Sequence, residues 1–144
     1  MNNYMKLEFL SLSQNEAMAR TAAAAFVAHL NPTMEEIADI RTAVSEAVTN
    51  SIVHGYRGTS GMVTMECELD DERVLIVRII DEGHGIADIE RAMQPFFTTA
   101  EGMERSGMGF AVMEAFMDSL EVESELGSGT VVTMKKRIAD NDER

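Results

Sequence analysis

In SEAVTNSIVHGY, residues 45–56, Glu46 stands four positions ahead of Asn50, and His54 follows four later. On a helix at roughly 100° per residue, Ile37, Val44 and Val48 share one side, while Glu46 and Asn50 fall together on nearly the opposite one. A carboxylate and an amide one turn apart suit a site where the amide oxygen ligates magnesium and the carboxylate manages a proton. A solvated polar face is the competing reading. Against it, Ala43, Ala47 and Val53 border the pair, so this second face is not generally charged. His54 extends the row less closely, and a turn-stabilising role suits it as well as a catalytic one.

Three further stretches have chemical potential. Asp81-Glu82-Gly83-His84-Gly85-Ile86 follows the most apolar run of the chain, RVLIVRII. An aspartate at a buried strand end is costly unless paired; an adenine amino group would supply a donor, and glycines would let the base approach the backbone. An ordinary Asp-x-Gly-x-Gly turn is the alternative. Ser106-Gly107-Met108-Gly109-Phe110 opens a helix whose free amides and positive dipole end suit a phosphate, with Arg105 beside it as a cation. Gly129-Thr130, in a hairpin, would place a hydroxyl near the base, or is simply a turn followed by a strand residue.

These residues need a scaffold. Residues 5–10 alternate as a half-buried strand, and Ser13 with Glu16 forms a capping-box pattern for a helix to about Leu30, with Met18, Ala22, Ala25, Phe26 and His29 along one side. Asn31-Pro32 breaks it. Thr33 and Glu36 cap a second helix ending at Gly55, taken as a left-handed cap. MVTMECEL is an alternating strand, and an acidic turn at Asp70-Asp71 joins it to RVLIVRII, whose unbroken apolar character suggests burial on both faces. A short helix is expected at 88–94, a functional loop at 95–107, and a helix over 108–120 carrying Phe110, Met113, Met117 and Leu120. A last hairpin pairs 121–125 with 130–136, and the polar tail 137–144 is expected to fray. Strands joined by hairpins, with helices that each need one covered face, predict a two-layer α/β sandwich on a largely antiparallel sheet. A doubly wound parallel sheet is the alternative, and residues 62–80 do not suit it.

Composition narrows the partners. At 144 residues the chain fits one domain, and 45% hydrophobic against 26% charged residues is the balance of a soluble globular protein. No apolar run reaches a membrane span and the first residues lack a signal-peptide core, so a cytoplasmic protein is expected. Cys67 is alone and suits a buried strand position. A net charge of −13 disfavours direct binding to nucleic acid or anionic lipid and favours a basic protein partner. The P-loop and dinucleotide-binding glycine patterns are absent, as are zinc spacings, and core filling accounts for the methionines.

Taken in order, Glu46/Asn50, Asp81-x-Gly83-x-Gly85, Gly107-x-Gly109 and Gly129-Thr130 resemble the Bergerat-type ATP-binding fold of the GHKL superfamily, shared by gyrase, Hsp90, histidine kinases and MutL. Glu-Ala-Val-Thr-Asn-Ser-Ile-Val-His-Gly-Tyr, Phe96-Phe97-Thr98-Thr99 and residues 104–110 resemble, within it, the anti-sigma factor serine kinases, the sporulation branch above all. The likeness runs from about residue 5 to residue 136. It implies an ATP- and magnesium-dependent protein serine kinase that sequesters a sigma factor and phosphorylates an anti-anti-sigma protein, as a homodimer with Arg20 on a shared docking surface. By position it makes Glu46 the general base, Asn50 the magnesium ligand, Asp81 the adenine acceptor, and Gly83 and Gly85 the clearance around the base. Gly107 and Gly109 would bind phosphates, Arg105 the γ-phosphate, and Thr130 the adenine end, with Thr98, Thr99, Ser106 and Met108 also around the nucleotide. Residues 93–106 would form a lid. The chain departs from the family pattern at Ala87, where a proline is expected, and at Thr99-Ala100-Glu101-Gly102, where a lysine-proline pair is expected. Relatives that control general-stress sigma factors share these motifs, and a non-kinase ATPase clamp is the further alternative.

Overall fold

The computed structural model describes residues 2–86, 89 and 109–140. Strands β1 (Asn3–Leu10), β2 (Met62–Leu69), β3 (Val74–Asp81), β4 (Ser119–Glu125) and β5 (Gly129–Arg137) form one sheet in the order β1-β2-β3-β5-β4. Every pairing is antiparallel. Helices α1 (Gln14–Val27), α2 (Met34–Asn50) and α3 (Gly109–Phe116) pack on it, giving the expected two-layer sandwich. The chain leaves the end of β3 and returns through β4 and β5, with β5 beside β3. The exit from the central strand is therefore flanked by the β4–β5 hairpin.

Alternation decides which sheet face is covered. Val63, Met65, Cys67 and Leu69 of β2, with Leu75, Val77 and Ile79 of β3, point into the core against Ile40, Val44 and Val48 of α2. The expectation that β3 is buried on both faces fails. Val74, Ile76, Arg78 and Ile80 remain partly exposed, because the helices cover one face only and an apolar run cannot by itself report which faces are covered. Burial pushes the Cys67 thiol up to about 12, which leaves it an inert core residue.

Helix boundaries follow capping chemistry. Thr33 has an extended backbone, and its Oγ1 accepts the Glu36 amide at 3.0 Å while Glu36 Oε1 accepts the Thr33 amide at 2.8 Å. The Ser13 box is not formed. Ser13 is itself helical and makes no side-chain cap, and Glu16 instead accepts from Arg20 at 3.0 Å and from Thr49 at 2.6 Å. The inner side of α1 is Ala19, Ala23 and Val27 rather than the side bearing Met18, Ala25 and His29; small residues let α1 lie close on α2. Asn31 takes the left-handed conformation that ends this segment, at φ 52. Gly55 is not a left-handed cap. Arg57 and Gly58 carry the positive φ, at 46 and 84.

Two further expectations change at the C-terminal side. The last helix ends at Phe116 and Leu120 belongs to β4, because the Asp118 amide donates to the Lys135 carbonyl and its carboxylate accepts the Arg137 amide, drawing the chain into the sheet. Residues 137–140 are not frayed. Ile138 is fully buried, and the Arg73 guanidinium donates to the carbonyls of Leu30, Ile138 and Ala139. The expected helix at 88–94, Ile89 apart, and the loop at 95–107 lie outside the described residues, as do the last four of the tail.

The two caps give a paired prediction. Thr33→Ala should destabilise the protein by about 1 kcal/mol in urea unfolding, the usual cost of a lost N-cap. Ser13→Ala should stay within about 0.5 kcal/mol of the parent, as surface substitutions without a specific role do. Equal losses would contradict the assignment.

Candidate functional site

Asp81 closes β3 and is 5% exposed. Burial raises its pKa above the ordinary carboxylate value. The Gly83 amide, the Ser51 hydroxyl and the Thr130 amide, all donors to the carboxylate, oppose that rise. Gly83 donates to Oδ1 at 3.0 Å. The carboxylate thus balances its burial against hydrogen bonds drawn from the loop after β3, from the residue that follows α2 and from β5.

The three donors come from three segments, and an irregularity in α2 brings in the first. After Asn50 the helix widens into one π turn over Ser51–Gly55, closed by the Tyr56 amide on the Ser51 carbonyl at 3.0 Å. Such turns insert one residue into the helical register and are frequent at functional sites. Here it puts Ser51 within reach of Asp81 and lays Gly55 flat against it: a Cβ at Gly55 would stand 3.0 Å from Asp81 Cγ. The Gly55 carbonyl then accepts the His84 amide at 2.7 Å. Tyr56, also buried, donates its hydroxyl to the Met62 carbonyl at 2.6 Å and accepts the Glu82 amide at 2.9 Å, fixing the start of the loop after β3.

Glycine is required where that loop passes between its neighbours. A Cβ at Gly83 would lie 2.1 Å from the Gly55 carbonyl oxygen, and one at Gly85, where φ is +76, would lie 2.2 Å from the Glu125 carbonyl oxygen. On its far side the loop is clipped to the β4–β5 hairpin by the Gly127 amide on the His84 carbonyl and by the Ile86 amide on Ser124 Oγ, both at 2.7 Å. Residues 81–86 therefore form a backbone-walled shelf beside a buried carboxylate.

The other expected residues approach this shelf unevenly. Glu46 and Asn50 both lie half-buried on α2. The start of α3 reaches Asn50 directly, since a Cβ at Gly109 would sit 2.8 Å from its Nδ2 and 3.0 Å from its Oδ1. Thr130 stands opposite Asp81 in the β3/β5 register and is 8% exposed. Thr98, Thr99, Arg105, Ser106, Gly107 and Met108 lie outside the described residues. Arg20 is half-buried between helices, 3.0 Å from Glu16 Oε1 and 3.5 Å from Ser45 Oγ, one residue before Glu46. His54 lies in the π turn, where its carbonyl accepts from Arg57 Nε. Ser51, Tyr56 and Ser124 escaped the sequence reading: no spacing rule announces a π turn, and a serine in a strand has no pattern of its own.

Residues 10–136 match the histidine kinase-like ATPase domain. A protein of Caldanaerobacter subterraneus subsp. tengcongensis called anti-sigma F factor is 59% identical over 97% of this chain and 97% of its own length. The chain belongs to the anti-sigma F factor family. Another anti-sigma F factor, from Clostridium acetobutylicum, is 52% identical over 96% of both chains. Among solved structures, the RsbU and RsbW domains of a Mycobacterium tuberculosis protein match with a TM-score of 0.69 at 20% identity, covering 95% of this chain and 33% of that one. A full-length ShkA bound to AMPPNP matches with a TM-score of 0.59 at 18% identity, over 87% of this chain and 30% of that one. At such identities the likeness is one of fold, and it is the fold expected of the family. No helix among the described residues is long and apolar enough to cross a membrane.

The Asp81 environment makes a titration prediction. Its folded pKa is raised, so the carboxyl favours folding below its unfolded value and that contribution is lost as pH rises through the folded value. A carboxyl-detected NMR titration should place its midpoint above 3.8, and Ser51→Ala, which removes a donor to the ionised form, should move it further up. A midpoint that is ordinary, or that does not respond to Ser51→Ala, would contradict the arrangement.

Proposed function

We propose that this chain is an anti-sigma factor that holds a sporulation sigma factor and, as an ATP-dependent protein serine kinase, phosphorylates the anti-anti-sigma protein that competes for it. The observation that carries the reading is Asp81: a buried carboxylate with a raised pKa at the end of the central strand, beside a loop walled by backbone, in a chain 59% identical to an anti-sigma F factor. An adenine fits such a place. Its amine would give Asp81 a further donor, and Gly83 and Gly85, by letting the loop pack on the Gly55 and Glu125 carbonyls, hold the backbone wall in place beside it.

Magnesium also suits the donor set. It keeps several waters and takes few protein ligands alongside substrate phosphates, so the amide oxygen of Asn50, at the end of α2 and against the start of α3, would suffice as its protein ligand. No cluster of three acidic, histidine or cysteine side chains exists among the described residues to hold a metal by protein ligands alone. When bound, the ion neutralises charge on the phosphates of ATP, the co-substrate. Glu46, one turn before Asn50, would accept the proton of the partner's serine hydroxyl as that oxygen bonds to the γ-phosphorus and the bond to ADP breaks. Gly107 and Gly109 would give amides to phosphates, with Ser106 before them and Met108 between them, and Arg105 would steady the γ-phosphate. Thr98 and Thr99 belong to the segment that would close over nucleotide, and Thr130 supports the adenine end. A net charge of −13 suits basic protein surfaces rather than nucleic acid. We place the protein in the cytoplasm as a homodimer whose first helices, with Arg20, meet its partners.

Glu46→Ala should reduce transfer to the serine of the anti-anti-sigma protein by about 100-fold or more, the range of a lost general base, while calorimetric ATP affinity changes little. Asn50→Ala should instead remove the magnesium-dependent part of ATP binding. A Glu46→Ala protein that no longer binds ATP would overturn the role given to Glu46. Phosphotransfer that persists would do so equally.

A further inference from the structure

Helix α3 meets α2 at both of its ends. At its start, Gly109 packs on the Asn50 side chain so closely that a Cβ there would stand 2.8 Å from Nδ2. At its far end, the Phe116 carbonyl accepts Lys136 Nζ at 3.0 Å, and the same ammonium lies 3.5 Å from Asp39 Oδ2. Asp39 and Asn50 are 11 positions apart in α2, about three turns at 3.6 residues each, so they share one side of that helix. Glu46 falls on the same side. α3 therefore runs antiparallel to α2, along the side that carries Glu46 and Asn50.

A helix of 8 residues is too short to hold a direction by its own hydrogen bonds, so its contacts set its aim. Phe110, Met113 and Met117 are buried, but apolar contact is non-directional and resists lifting more than tilting. The directed contacts are those at the two ends. The last carbonyls of a helix have no partner within it, and the helix dipole favours a cation there. Lys136 meets that demand from a sheltered place, its side chain 12% exposed and that of Asp39 20%. Thr130 and Lys136 stand 6 positions apart in β5, about 20 Å at the rise of a strand, so the lysine reaches neither Asp81 nor the loop beside it.

We propose that Lys136 is a positioning residue for the nucleotide phosphates: by joining the Phe116 carbonyl to Asp39 it fixes the tilt of α3, and with it the seat of Gly109 against Asn50. The two ends are about 10 Å apart at the rise of a helix. The inference rests on the nucleotide reading given above and adds to it a residue that touches neither nucleotide nor metal. Without the anchor, α3 spends part of its time in tilts that separate Gly109 from Asn50. Apparent affinity for the phosphates then falls with the fraction of molecules in the competent seat.

The test compares Mg-ADP with adenosine on the full chain, the first by calorimetry and the second from amide shifts at Gly83 and Thr130, which register millimolar binding. Lys136→Met keeps the apolar stem and removes the charge. It should weaken Mg-ADP about fivefold, the scale of one charge at a helix end, and leave adenosine within about twofold. Lys136→Arg, which retains the charge, should restore most of the loss. Adding Asp39→Ala to Lys136→Met should bring no further change, because the two side chains form one anchor. If Lys136→Met does not fold, Asp39→Ala alone is held to the same criterion. A folded variant that binds Mg-ADP as the wild type does would overturn the inference alone. So would one that loses adenosine to the same extent, the result a purely structural lysine gives. Adenosine that fails to bind a wild type competent for Mg-ADP would also overturn it, since base and phosphate contacts would then not be separable. A wild type that binds neither would overturn the inference together with the nucleotide reading.

Discussion

A carboxylate taken out of water at the end of the central strand is the constraint around which the rest is arranged. Leaving Asp81 buried without partners would cost several kcal/mol, and its partners are supplied by Ser51 from the end of α2, Gly83 from the loop and Thr130 from β5. None of the three is close to it by accident of helix or strand geometry alone. The π turn brings Ser51 round, the absence of a side chain at Gly55 lets the turn lie on the carboxylate, and the β3/β5 register sets Thr130 opposite. Internal donors offset much of the desolvation but not all of it, which is why the pKa remains raised. A site held in that condition gains from any ligand that brings one more donor.

The sheet order makes this possible. Because β5 inserts between β3 and β4, the chain leaving β3 is bounded by α2 on one side and by a hairpin on the other. The loop from Asp81 to Ile86 is tied to both, through Gly55 and Tyr56 toward the helix and through Ser124 and Gly127 toward the hairpin. The same helix that ends in the π turn carries Asn50 immediately before it and Glu46 one turn earlier, and α3 begins against Asn50. The residues proposed to serve the phosphate chemistry and the turn that lies on Asp81 are thus carried by one continuous helix. Relative motion between them is limited by the core that Ile40, Val44 and Val48 form with the sheet.

Much of this was legible in the residues. Period-two alternation located β1 and β2, and the Thr33/Glu36 box located the start of α2. Gly83 and Gly85, expected to clear room for a base, instead clear room for the Gly55 and Glu125 carbonyls. What could not be read has physical causes. Alanine contributes little hydrophobic contrast, so in an alanine-rich helix the side through Ala19, Ala23 and Val27 does not stand out from its neighbours. The apolar run of β3 has the same composition whether one face or two are covered. Ser13 and Thr33 head identical patterns, and only tertiary demand on Glu16, from Arg20 and Thr49, separates them. A π turn changes register without changing composition, so Ser51 and Tyr56, which complete the Asp81 setting, had no signature of their own.

The central claim is that the surroundings of Asp81 receive an adenine nucleotide. Backbone amide chemical-shift mapping of the labelled protein with Mg-ADP tests it most directly. The account predicts saturable shifts concentrated at Ser51, Gly55, Gly83, His84 and Thr130, with distant amides of β1 undisturbed. No response at millimolar nucleotide, or a response confined to surfaces away from the end of β3, would contradict it.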